Sequence, residues 1–196
     1  MTLDEMCVSA ARYSDRYDEF EKNEDGEYED DALMYFNVFK DAINEAYMAV
    51  SREFAAPDTY QQAKVGSDLT VDLSDMEPAV YAIKDVLNAN RTAAVSYTFE
   101  TKYVLKVSGV NAGDTITLYY HYIPDRLENL NDEPIFTEAV VDPMVYICLA
   151  VARIWMSEKK FDYANQWLSQ YYTMLKSIRS SLKSRGAQRI PRRSFR

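Results

Sequence analysis

Histidine, cysteine and glycine are scarce in this 196-residue chain: one, two and five copies. Five dispersed glycines make no Gly-rich loop to cradle a phosphate. The lone histidine, His121, would have to serve any Ser–His or Cys–His pair, and two cysteines with one histidine match no recognisable zinc spacing. No apolar run approaches the ~20 residues of a membrane span. The acidic start also lacks a signal peptide's basic opening and apolar middle. These absences lead us to expect no enzyme, no cofactor, no metal and no membrane partner in a soluble, non-secreted protein. Cys7 and Cys148 lie on apolar helical faces, the habit of buried free thiols in a reducing compartment.

Tyrosine, by contrast, is abundant, with 16 copies. An apolar ring with a polar tip suits both subunit interfaces and the rim of a core. The formal net charge of −9 argues against a surface that binds nucleic acid throughout.

Leu3, Met6, Ala10, Tyr13, Tyr17 and Phe20 recur at helical spacing, which predicts a helix over residues 3–21 with Thr2 as N-cap. The run Asn23-Glu24-Asp25-Gly26-Glu27 breaks it. Aligned on Gly26, a calcium loop would take Glu21, Asn23 and Asp25 as ligands, but its bidentate acid falls on Ala32. A solvated acidic turn is the reading. A second helix is predicted from Asp30 to just before Pro57, with Leu33, Phe36, Phe39, Ile43, Ala46, Tyr47, Val50 and Phe54 on one side. Together the two helices predict an antiparallel hairpin.

The period changes over residues 59–123. Leu69, Val71 and Leu73 alternate with polar residues, residues 80–86 and 94–101 are β-rich, and residues 103–107 face 115–123 across the turn at 111–114. Five or six antiparallel strands follow, and the absence of crossover helices excludes a parallel α/β sheet. Helices then return. Asp142-Pro143 predicts a capped start, residues 144–155 are apolar nearly all round, and Phe161, Ala164, Leu168, Tyr171, Leu175, Ile178 and Leu182 form a last seam. Within the strand block, His121 reads as a packing or hydrogen-bonded residue among tyrosines.

Charge is segregated along the chain. Glu24, Asp25, Glu27, Glu29, Asp30 and Asp31 crowd the N-terminal turn, whereas Lys183, Arg185, Arg189, Arg192, Arg193 and Arg196 end the chain with no acid among them. Ile190 and Phe195 are the apolar points of that tail. A solvated terminus is its plainest reading; a phosphate-binding segment and an insert for an acidic groove on a protein partner are the other two, neither favoured over the other.

The fold class expected is α+β: a four-helix bundle of two helical hairpins, an inserted antiparallel β-sheet subdomain and a basic extended C-terminal tail. The boundaries are residues 1–57, 58–124, 125–185 and 186–196.

This order of elements, with Leu118-Tyr119-Tyr120-His121-Tyr122-Ile123-Pro124, the turn Leu130-Asn131-Asp132-Glu133-Pro134-Ile135 and the helix start Phe161-Asp162-Tyr163-Ala164, resembles the head-to-tail connector (adaptor) proteins of tailed bacteriophages. The resemblance spans about residues 3–184, and the sizeable insertion suggests the podovirus-like branch. It implies a virion protein, assembled in the host cytoplasm and placed at the head–tail junction. There a homo-oligomeric ring of about twelve copies would dock on the portal protein and pass packaged DNA without sequence-specific binding. Tail nozzle or fibre proteins would be further partners. The resemblance implies portal contacts for residues 183–196, and the acidic patch at 24–31 would suit a neighbouring copy. The alternative is a DNA-binding packaging or regulatory protein acting through the basic tail.

Overall fold

The computed structural model describes residues 1–53, 57–137 and 140–186, with backbone alone at 53 and 181–186. The chain divides into two compact units, one drawn from both ends of the chain and one, Ala56–Asp125, from its middle.

In the first unit, α1 (Leu3–Tyr13) opens on a complete capping box. Thr2 Oγ accepts the Glu5 N–H at 3.2 Å, and the Glu5 carboxylate accepts the Thr2 N–H at 2.9 Å. The helix stops eight residues short of the predicted end. Buried Ser14 donates its hydroxyl to the Ala10 carbonyl at 2.7 Å, and Asp15 turns left-handed at φ 59°. Such local side-chain bonding competes with helix continuation, and aspartate tolerates the left-handed region. Tyr13 and Tyr17 are therefore about half exposed instead of joining the seam, while Phe20 still reaches the core after a single 3-10 turn, Tyr17–Glu19.

Helix α2 (Asp30–Glu53) runs where the spacing predicts. Phe36, Phe39, Ile43, Ala46, Tyr47 and Val50 are buried, but Leu33 is exposed, and Phe54 lies outside the described residues. Helix α3 (Met144–Ser157) buries nine of its fourteen residues. Pro143 already has helical angles, and Asp142 Oδ1 accepts the Met144 N–H at 2.9 Å, as the Asp-Pro start implies. Helix α4 (Phe161–Gly186) buries Ala164, Tyr171 and Ile178, leaves Leu168 and Leu175 partly covered, and exposes Phe161.

The expected four-helix bundle of two hairpins with an inserted sheet is not formed. Helices α1, α2 and α4 each pack on α3, and α4 is not laid along α2. The cause is legible in α3, whose apolar surface on every side takes three partners and leaves α2 and α4 on separate flanks. Helix α1 is also short, and sixteen residues separate it from α2 rather than a tight turn.

The second unit holds two three-stranded antiparallel sheets. The six strands are β1 (Asp58–Lys64), β2 (Thr70–Asp72), β3 (Val80–Asn88), β4 (Ser96–Phe99), β5 (Val104–Ser108) and β6 (Thr115–Tyr122). The sheet orders are β1-β6-β3 and β2-β5-β4. The expected pairing of 103–107 with 115–123 is absent: β5 and β6 belong to different sheets, and the turn at 111–114 passes between them. Strand β6 is apolar enough to be a central strand, and β1 and β3 cover both its edges. Val71, Val86, Leu105, Val107, Ile116, Leu118 and Tyr120 are among the buried residues of one shared core.

Candidate functional site

Three surfaces carry the unusual chemistry, two on the helical unit and one on the β unit. The first is the acidic turn. Asn23 Oδ1 accepts the N–H groups of Asp25 and Glu27 at 3.0 and 2.9 Å, and Asn23 N–H donates to the Glu27 carbonyl at 2.9 Å. Gly26 takes φ 81°, which the tight return requires. The Asn23 amide also donates to Glu29 at 2.7 Å. With the Asn23 Oδ1 committed to backbone amides, the loop is a closed polar turn. Among the described residues, no group of three or more His, Cys, Asp or Glu could hold a metal ion.

An aromatic stack anchors the turn. Tyr28 lies 4.3 Å from Phe20 and 5.0 Å from Phe36, centroid to centroid, and its hydroxyl donates to Asp4 at 2.8 Å. Lys22 donates to the other Asp4 oxygen at 2.8 Å. Burial first, then the bond to Asp4, pushes the Tyr28 phenol up from its ordinary value. Around this anchored turn Glu24, Asp25, Glu27, Glu29, Asp30 and Asp31 are all exposed. Leu33 and Met34, 43% and 53% exposed, stand beside those acids.

The second surface was not anticipated from the pattern. Because α4 does not close against α2, a groove of about 480 Å³ opens over α3. Leu149 and Met156 contribute from α3, Ala49 and Glu45 from α2, and Leu168, Tyr172 and Leu175 from α4, with Lys176 and Arg179 at the rim. Arg153 binds Glu45 through one nitrogen at 2.8 and 2.6 Å. Among the described residues, no ion pair engages Lys176 or Arg179.

The third lies on the sheet face of the β unit. Tyr60 and Tyr119 are cross-strand partners with ring centroids 5.6 Å apart, and the Arg91 guanidinium lies 4.2 Å from the Tyr60 centroid. Two register steps along, His121 pairs with Asp58, whose carboxylate contacts both the histidine Nδ1 and Lys84. His121 thus lies against the Asp58–Lys84 pair.

Of the basic tail, Lys183 and Arg185 stand in α4 with only their backbone described, while Arg189, Ile190, Arg192, Arg193, Phe195 and Arg196 lie outside the described residues. No protein-family model and no curated protein matches the chain. No described helix is long and apolar enough to cross a membrane.

Proposed function

We propose that this protein is a structural virion component, a ring-forming head-to-tail adaptor that docks on the portal of a tailed bacteriophage. The observation that carries the reading is the separation of two unlike surfaces on one helical unit: an acidic, rigidly braced turn and a groove whose rim is basic. A ring needs such a heterologous pair of patches, since each subunit must meet its neighbours through different faces. The sequence resemblance to phage adaptors supports the reading independently. A net charge of −9 suits a channel lining, because DNA phosphates find few counter-charges on it.

In this reading the basic segment at residues 183–196 engages the portal, Ile190 and Phe195 anchor it, and nozzle or fibre proteins attach further out. The experiment is reconstitution with the cognate portal ring, followed by electron microscopy. Full-length protein is expected to add a ring below the portal, and a variant ending at residue 185 to fold but not dock. Normal docking of the truncated chain would remove the tail's role. Steeply salt-dependent DNA binding without any portal complex would favour the DNA-binding alternative.

A further inference from the structure

The groove over α3 lacks the helix that would close a bundle, and its chemistry specifies an occupant. Its walls are apolar at Leu149, Met156, Leu168 and Leu175, Tyr172 stands 62% exposed on its α4 side, and Lys176 and Arg179 add two positive charges at the rim. The opposite combination occurs at the start of α2. There Leu33 and Met34 are exposed apolar side chains set among Glu27, Glu29, Asp30 and Asp31, all exposed.

We propose that the groove of one copy receives the acidic, apolar-tipped N-terminal end of α2 from a second copy. Met34 and Leu33 enter against Leu175 and Tyr172, and the flanking carboxylates meet Lys176 and Arg179.

Three features favour a second copy over other occupants. Charge and apolarity match at once: a two-residue apolar tip ringed by acids meets an apolar floor rimmed by bases. Met34 and Ala49 lie on the same continuous helix, separated by roughly 22 Å at 1.5 Å per residue, so a chain cannot fill its own groove with its own α2. The two patches are also different surfaces on one compact unit, and such a contact repeats from copy to copy and closes into a ring where the rotation permits. This pairing rests on the ring-forming reading above and names the surfaces that build the ring.

Cysteine cross-linking tests it, because Cys7 and Cys148 are both buried. Met34→Cys and Tyr172→Cys, both at exposed sites, are prepared as separate variants, mixed and mildly oxidised, both free and bound to the portal ring. The expected product is a mixed disulfide dimer, and a chain carrying both substitutions should give a ladder of linked oligomers. Charge reversal by Lys176→Glu with Arg179→Glu should lower the yield about tenfold, and Glu27→Lys with Asp31→Lys on the partner copy should restore it. Circular dichroism confirms that each variant folds.

Rings on the portal without a Met34–Tyr172 link overturn the pairing and leave the adaptor reading standing. A link in solution with no ring on the portal does the reverse. Homodimers formed by Met34→Cys alone would mean a two-fold contact and also overturn the proposal. So would loss of linking that the complementary reversal fails to rescue.

Discussion

The side-chain amide of Asn44 pairs with both backbone groups of Leu127, donating to its carbonyl at 3.0 Å and accepting its N–H at 2.8 Å. A residue in the middle of α2 thus imitates a strand and fastens the incoming segment at 127 to the helical core. Asn44 is 1% exposed, so the bonds form where water cannot replace them.

Asn44→Leu should therefore leave two backbone groups unpaired and destabilise the protein by about 2–4 kcal/mol, read by urea unfolding. Asn44→Asp should cost less near pH 4 than at neutrality, because only the protonated acid can also donate. A loss under 1 kcal/mol for the leucine variant would show that the segment is held elsewhere.

The Tyr28 phenol predicts alkaline sensitivity. Its pKa is raised in the folded state, by burial and then by the bond to Asp4. The neutral phenol is thus the form that folding favours. Its stabilisation is complete below the unfolded value of about 10 and is lost as pH rises through the folded value. Tyr28→Phe should cost about 1 kcal/mol at pH 7 and flatten the fall in stability above pH 10. An unchanged alkaline unfolding curve would contradict this.

Acid acts on a different pair. Burial pushes the Glu158 carboxyl up, but hydrogen bonds from Lys160 and Arg16 outweigh it and hold the group below its ordinary range. Arg16 Nε donates to it at 2.9 Å, joining the segment after α1 to the end of α3. A lowered folded pKa gives stability that is present above the unfolded value of about 4.3 and lost as pH falls through the folded one. Arg16→Gln should cost about 1 kcal/mol at pH 7 and almost nothing at pH 2. Equal losses at both values would assign the effect to packing instead.

Thiol chemistry should report unfolding. Burial, with the Asp142 charge second, pushes the Cys148 thiol up to about 11, and burial with Asp4 raises Cys7 further. Neither should react with an aromatic disulfide reagent at pH 8 while folded, and both should react in denaturant at the rate of opening. Fast labelling of the native protein would contradict the buried placement.

Much of this molecule follows from local pattern. Thr2 with Glu5, Asp142 with Pro143, the apolar face of α2 and the strand-rich middle are each set by neighbours within a turn or two, where side chains act directly on their own backbone. The turn at Asn23–Glu27 was legible for the same reason. What local pattern misjudged was partnership. Tyr13 and Tyr17 keep helical spacing, yet Ser14 and Asp15 end the helix between them. Strands β5 and β6 are sequence neighbours, yet β6 is apolar enough to be wanted in the middle of another sheet. The groove exists because α3 offers apolar surface on every side, and which flank each helix takes is settled by packing across the whole unit. Spacing along a chain reveals which face a helix buries, but only the tertiary structure decides against what, and so where a face is left open.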